Sequence, residues 1–373
     1  IHHEKIFHQP TDLHPMTKKV SIKDIAKELE LSITTVSFVI NGKSEEMGIS
    51  EATSSKVLEL IKKRDYSPNN AARLLRTGKS NTIGLIVEDL GNYFFGNIAK
   101  VVELEASKRG YNVFLSSTDN NPNTAKALIR KMRNSSVDGM IITPTKELNQ
   151  ELEDLKNDKI PFVLLDRTVP GISANAVVLD NFKGAFDLTV HLLNNGYQKI
   201  GFVTIHSDMS QMIERERGYF DAIESSNKSC MKELVLKVKF DDSAACIISS
   251  IMSFVRENPD MEALFFATNY LGVHGIEALK QIGKSMPDDL AVVCFDDNDL
   301  FRLFTPSITV SSQPIKQIAV ETIELLLRLV ENGIKHESPI NKVLEPELIE
   351  RQSSIQKPLW EIEQTLKKSF NKI

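Results

Sequence analysis

The feature that most constrains this 373-residue chain is a series of short apolar runs, each closing on a polar residue and separated by helical stretches. IGLIVED (Ile83 to Asp89) opens it, with a helix expected from near Phe94. VFLSST, GMIIT and FVLLD, the last ending at Asp166, repeat the pattern; IGFVT, ALFFATN and AVVCFDD, ending at Asp297, repeat it again. Strands apolar along their whole length are covered on both faces, and strands alternating with helices pair in parallel. Two such series imply two α/β lobes, with a cleft at the strands' C-terminal ends.

The N-terminal part follows a different period. In SIKDIAKELELSITTVSFVIN (Ser21 to Asn41), Ser21 and Asp24 have the spacing of a capping box, and Ile22, Ile25, Ala26 and Leu29 form one helical face. Leu31 fills a turn. Ser32 then caps a second helix carrying Val36, Val39 and Ile40 inward, and small Ala26 lets the two helices cross closely. This is a helix-turn-helix, whose second helix suits the DNA major groove. A third helix starts at Ser50 and runs through Val57, Leu58, Leu60 and Ile61. Charge is split in the same sense. The chain carries a net −5, yet Met16 to Lys79 holds twelve Lys and Arg against eight Asp and Glu. A basic head on an acidic body suits a DNA-binding module joined to a sensor.

Several classes are excluded. No apolar run reaches the ~18–20 residues of a membrane span, and no secretory signal is visible, which argues against a periplasmic solute-binding protein and for a cytoplasmic one. The cysteines Cys230, Cys246 and Cys294 lack metal spacing and read as buried thiols in a reducing compartment. There is no G-x-S-x-G, P-loop or G-x-G-x-x-G, and His191, His206 and His274 form no acid–nucleophile pattern, so no enzyme, metal site or cofactor is expected. The opening IHHEKIFHQPTDLHP has no periodicity; a disordered or artefactual extension fits better than a metal site at His2, His3 and His8, with the working start near Met16.

The DIA, TTVS and VING runs, then YSPNNAARLLRTG, then IGLIVEDLGNYFF resemble the lactose-repressor (LacI/GalR) family of bacterial transcription regulators, over roughly residues 20 to 355. The resemblance implies an all-α helix-turn-helix head plus a two-lobed periplasmic-binding-protein-like sensor of type I. The corresponding boundaries are 1–18 extension, 19–65 head, 66–79 hinge helix and linker, 80–355 effector-binding domain and 356–373 tail. Lobe 1 would hold about 80–178 and 310–338, and lobe 2 about 180–307 and 340–355. The chain would cross between lobes near Val178–Asn181, around Ser307–Gln313 and near residue 340.

For the head, the resemblance turns Ile33, Thr34 and Phe38 toward the groove. The family often has polar residues there, and commonly Arg at the position of Phe38. Arg grips guanine by two bonds, which Phe cannot do; Ile33 and Phe38 suit thymine methyl groups, with Thr34 bonding a base or phosphate, so an A/T-rich half-site is expected. Packing of Phe38 into the head's own core is the plainer alternative. Ser21, Ser32, Thr35, Ser37 and Lys43, with the Lys56 region, would position phosphates. In the hinge, Asn69, Ala72, Arg73, Leu75 and Arg76 would contact DNA, Leu75 as a minor-groove wedge.

For the sensor, polar residues at strand ends are the pocket candidates. These are Asp89 and Asn92 with the aromatic rim Tyr93, Phe94 and Phe95, then Asp166, Asn269 and Asp296. Arg167 follows Asp166 and has a structural reading, as does Asn92, which could simply cap a helix; Asp297 is expected to face away. By resemblance, Arg215 is the effector-contacting arginine, Phe240 a pocket aromatic, and Gln313 lies on a crossover. Paired acceptors and donors with an aromatic face suit a sugar, and a purine could use much the same set. The family's usual Asn-Asp is here Asn269-Tyr270. IAVETIELLLRLVENG (Ile318 to Gly333) is apolar on more than one side, its excess suiting a homodimer surface. The amphipathic tail LWEIEQTLKKSFNKI would dock, fray or add a tetramer contact. Expected partners are a pseudo-palindromic operator, a small-molecule effector and a second copy of the chain. A solute-binding module with a vestigial head, and a regulator controlled by a partner protein, stay open.

Overall fold

The structure is a computed structural model in which residues 20–66, 78–226, 234–333 and 338–355 are described. The chain divides into two compact units, Ile1–Ser80 and Asn81–Ile373. The expected hinge residues Asn69, Ala72, Arg73, Leu75 and Arg76 lie outside the described residues, as do the extension to residue 19 and the tail from 356.

In the first unit, α1 (Ile22–Glu28), α2 (Ile33–Ile40) and α3 (Glu51–Lys63) start where the caps require. The Ser21 hydroxyl accepts the Asp24 amide at 3.3 Å and the Asp24 carboxylate accepts the Ser21 amide at 2.9 Å, completing the capping box. Ser32 and Ser50 accept the Thr35 and Thr53 amides in the same way. The turn closes through the Leu31 amide on the Ala26 carbonyl at 2.9 Å. Ile25, Ala26, Val36, Val39, Val57 and Leu60 form the core, and Arg64 ties the end of α3 to Glu28 at 2.8 Å. Leu58 departs from expectation. It is 53% exposed, because Val57, Leu60 and Ile61 already define the inner face and Leu58 lies about 100° around the helix from Val57.

The second unit begins with β1 (Thr82–Val87), α4 (Tyr93–Lys108), β2 (Asn112–Ser117), α5 (Pro122–Asn134), β3 (Gly139–Ile142), α6 (Asn149–Asn157), β4 (Phe162–Asp166) and β5 (Ala176–Leu179). Then come α7 (Asn181–Asn194), β6 (Ile200–Ile205), α8 (Ser210–Ser225), β7 (Val235–Val238), α9 (Ala244–Glu257), β8 (Ala263–Phe266), α10 (Asn269–Gln281), β9 (Ala291–Phe295), α11 (Asp299–Leu303) and β10 (Thr309–Ser312). The last elements are α12 (Ile315–Asn332), β11 (Asn341–Leu344) and β12 (Glu347–Ile349). One sheet has the order β11-β5-β4-β3-β1-β2, the other β12-β10-β9-β8-β6-β7. Every pairing is parallel except β10 with β12.

Strand pairing shifts two of the expected crossings. β10 pairs with β9, so residues 309–312 belong to lobe 2 rather than opening the lobe 1 segment at 310, and the chain crosses at 313–314, at the end of the expected Ser307–Gln313 stretch. β11 pairs with β5, so residues 341–344 belong to lobe 1 and the last crossing falls at 345–346 rather than near 340. The helix α12 also differs from expectation. It buries Ile318, Ala319, Thr322, Ile323, Leu325, Leu326 and Leu327, because it packs on both α4 and the strands of its own lobe. Its two apolar sides are consumed there. Apolar surface is exposed instead on the edge strand β2, where Phe114 and Leu115 are 40% and 37% exposed. Cys294 is buried and free, whereas Cys246 is exposed.

Candidate functional site

On α2 the residues chosen from sequence divide by helical period. Val36 and Val39 face the core, whereas Ile33 and Thr34 are exposed. Phe38 is half-buried but is not among the residues packed on that core, so the alternative of a core phenylalanine is not realised. Ser21 and Ser32 serve as caps, and the Thr35 hydroxyl lies 2.8 Å from that of Ser32. Asn41 donates to the Ser37 carbonyl at 2.6 Å, and Lys43 is exposed, 3.9 Å from Glu46. Asp24 already places an acid in the first turn of α1, while the first turn of α2 has none. A phosphate at the second N-terminus meets the helix dipole without a competing carboxylate.

In the second unit, nine of the ten sensor candidates line one cleft between the lobes. Asn92, Phe94, Phe95 and Asp166 come from lobe 1; Arg215, Phe240, Asn269 and Asp296 come from lobe 2; Gln313 lies on the crossing. Asp89 is the exception. It is exposed, its carboxylate accepts the Gly91 amide at 2.7 Å, and the neighbouring Glu88 lines the cleft instead. Asn92 has both readings at once: it caps α4, accepting the Phe94 amide at 2.9 Å, and it lines the cleft.

Close helix packing positions Arg215. A Cβ on Gly218 would lie 2.4 Å from the Phe182 carbonyl oxygen, so the absence of a side chain lets α8 sit against α7. There the Arg215 guanidinium donates to Asn181 Oδ1 at 2.9 Å and to the Ala267 carbonyl at 2.7 Å. It also lies 3.4 Å from Asp296 Oδ2 and 3.6 Å from the Phe295 ring centroid. Gln313 Nε2 donates to the other Asp296 oxygen at 2.6 Å, joining the crossing to lobe 2. Asp297 points away, as expected, and forms two bonds with Arg351 at 2.9 and 2.7 Å.

The lobes present comparable acids. Asp166 ends the apolar strand β4 and Asp296 directly follows β9, and both hold left-handed backbone, φ +73° and +72°. Such conformations cost about 1–3 kcal/mol for a non-glycine residue and concentrate at functional sites. Arg167 is buried, with Nε 3.1 Å from Asp166 and a second, close bond to Glu88. Burial pushes the Asp166 carboxyl above its usual range, opposed by the charges of Arg167 and Arg215. Burial, with the Glu88 charge, raises the Tyr270 phenol well above its usual range, so it remains a donor.

Sequence reasoning missed several lining residues, among them Glu88, Asn120, Gln211 and Tyr270. Asn120 Oδ1, Gln211 Oε1, Asn269 Nδ2 and the Tyr270 hydroxyl are buried without a hydrogen-bond partner. Buried polar atoms are normally satisfied, so a cluster of four in one cleft marks where a ligand would bond. The strand-end signal could have found Asn120, which follows β2. Gln211 shares a helical face with Arg215 at i and i+4.

Residues 21–69 match the family model for bacterial regulatory proteins of the lacI family, and residues 189–354 match the periplasmic binding protein-like domain. The chain is 32% identical over 340 residues to the HTH-type transcriptional regulator RegA of Clostridium saccharobutylicum, covering 90% of this chain and 99% of that protein. Among solved structures, the lac repressor dimer bound to operator and the anti-inducer ONPF superposes with a TM-score of 0.79 at 21% identity, covering 91% of this chain and 100% of that one. The CelR transcriptional regulator in complex with cellobiose gives 0.66 at 25% identity, covering 90% and 100%. No helix among the described residues is long and apolar enough to cross a membrane. With a helix-turn-helix head, an α/β body built as two parallel-sheet lobes, and relatives that are regulators rather than enzymes, the chain belongs to the LacI family of bacterial regulatory proteins.

Proposed function

We propose that this regulator is a cytoplasmic repressor whose operator affinity is set by a sugar or related small polar metabolite bound between its lobes. The observation that carries the reading is the cleft: nine residues chosen from sequence meet there, and four buried polar atoms have no partner. Asp166, Arg215 and Asp296 are its central contacts, with Phe94, Phe95 and Phe240 as apolar walls. Cellobiose in CelR is a precedent of the same chemistry in a related fold.

The protein acts as a homodimer on a pseudo-palindromic site, as the lac repressor dimer does on its operator. Ile33, Thr34 and Phe38 read an A/T-rich half-site, with apolar contact to thymine methyl groups. Ser21, Ser32, Thr35, Ser37 and Lys43 position the backbone, and Asn69, Ala72, Arg73, Leu75 and Arg76 engage DNA from the hinge. The exposed Phe114 and Leu115 on the edge strand β2 are apolar candidates for the dimer surface. Effector favouring a lobe arrangement that separates the two hinges lowers operator affinity, with a coupling typically of about 1–3 kcal/mol, or about 5–150-fold.

The test is in two arms. Selection from random DNA should enrich a palindrome with A/T at the contacted positions, and enrichment of guanine there, lost in Phe38→Ala, overturns the base assignment. Thermal unfolding against sugars, sugar phosphates and nucleobases should give a ligand-specific rise in midpoint that Asp296→Ala loses, since binding to the folded state stabilises it. No shift across the panel overturns the metabolite reading.

A further inference from the structure

The charges of the cleft carry a restriction on what can bind. Glu88, Asp166 and Asp296 line it against Arg167 and Arg215, and among the described lining residues there is no lysine or histidine. Both guanidinium groups are already engaged. Arg167 is held by Glu88 and Asp166, and Arg215 by Asn181, the Ala267 carbonyl and Asp296. The four unpartnered buried atoms belong to uncharged side chains.

Helix N-termini, the other source of anion affinity, offer little. Those of α4 and α10 are occupied by their own caps, Asn92 accepting the Phe94 amide and Thr268 the Leu271 amide. The start of α8 has no side-chain cap, and Asp208, immediately before Met209 there, is balanced by Lys146 at 2.7 Å, so the pair adds no net charge at that end. A phosphate or carboxylate entering the cleft therefore meets three acids against two guanidinium groups that already face those acids, whereas a hydroxyl-rich neutral molecule meets acceptors together with the unpartnered Asn269 amide and Tyr270 hydroxyl.

Resting on the metabolite reading above, we propose that the cleft selects by charge, taking uncharged polyhydroxyl ligands and rejecting their phosphorylated counterparts, with Glu88 and Tyr270 as the specificity-determining pair. Glu88 comes from lobe 1 and Tyr270 from lobe 2, and both line the cleft. Glu88 supplies the excess negative charge and occupies Arg167. Tyr270 contributes a buried, unpartnered hydroxyl.

The experiment measures thermal unfolding of the full chain with matched probes: ribose and ribose 5-phosphate, glucose and glucose 6-phosphate, fructose and fructose 6-phosphate, adenosine and its monophosphate. At least one neutral member should raise the midpoint, with its phosphorylated counterpart bound about 100-fold more weakly, the scale of a like-charge contact. Glu88→Gln should narrow that ratio by about tenfold, since Arg167 loses one of its two acids. Tyr270→Phe, which keeps the ring and its packing, should weaken the neutral ligand by about 3–10-fold, the worth of one hydrogen bond. A phosphorylated member binding as tightly as its neutral partner overturns the charge rule. An unchanged ratio in folded Glu88→Gln, or unchanged neutral binding in Tyr270→Phe, overturns the residue assignment. If no member of any pair binds while operator binding persists, the metabolite reading fails and the charge rule fails with it.

Discussion

Replacing Arg215 by methionine removes a buried charge while keeping much of its volume, and its cost follows from the contacts described. The substitution leaves Asn181 Oδ1 and the Ala267 carbonyl without the donors they now have at 2.9 and 2.7 Å. Each orphaned acceptor costs about 1–3 kcal/mol. It also leaves Asp296, 8% exposed, with the Gln313 amide as its side-chain donor. These effects overlap, because one side chain serves all three groups. The sum is therefore best taken as the cost of breaking a buried pair, about 3–5 kcal/mol. Equilibrium urea unfolding of the full chain, followed by far-ultraviolet circular dichroism, should show the sensor transition moving by that amount. Adding Asp296→Asn removes the stranded charge, so the double variant should recover about 1–2 kcal/mol relative to additivity. A loss under about 1 kcal/mol for the single variant would mean that Arg215 is not a structural clamp of the cleft. Strict additivity would mean that its 3.4 Å approach to Asp296 carries no energy.

Three further outcomes are expected. Phe38→Ala should weaken operator binding and leave the head's melting unchanged, whereas Ile25→Ala, at a fully buried position, should cost the head about 2–5 kcal/mol; equal destabilisation by both would return Phe38 to the core. Gly275→Ala should destabilise lobe 2 by about 1–3 kcal/mol or more, because the added Cβ would sit 2.0 Å from Cζ of the buried Phe266; a wild-type midpoint would contradict the packing. His191 is buried, 2.8 Å from the Ser354 hydroxyl and 3.6 Å from Glu350, with Asn195 beside it. Burial lowers its pKa, partly opposed by Glu350, so the unfolded chain takes up a proton near pH 6.5 that the folded chain resists. Stability should fall as pH drops from about 7.5 to about 5.5, and His191→Gln should flatten that slope; an unchanged slope would assign the titration to other groups.

Much of the sensor was legible because its central strands are apolar throughout and close on polar residues, so strand ends and cleft walls coincide. Residue-level aim was less secure. Glu88 and Asp89 are adjacent acids at one strand end, and successive residues there point opposite ways, so choosing one is a choice of face. The segments TVSS and NKVL are four residues of mixed polarity, and only pairing in three dimensions assigns β10 and β11 to their lobes. Gln211 and Tyr270 look like any polar helix residues until the opposite lobe covers them. In the head, the capping box and the Val36/Val39 face carried the reading fully, since both are local. The apolar sides of α12 misled because periodicity counts buried faces without saying what buries them.

The interleaving of the lobes also sets the order in which the protein can be made. β5 ends at Leu179, yet the helix that covers its sheet, α12, is complete only at Asn332, and the edge strand β11 follows at 341–344. At ~5–20 residues per second, roughly 150 residues of synthesis separate these events by about 8–30 s. Through that interval β3, β4 and β5 have left the ribosome with one apolar face uncovered, while lobe 2 is still being completed. Chains released before residue 332 carry that bare face permanently, which makes them natural substrates for chaperones and proteases, and makes late truncations of this gene far more damaging than their length suggests.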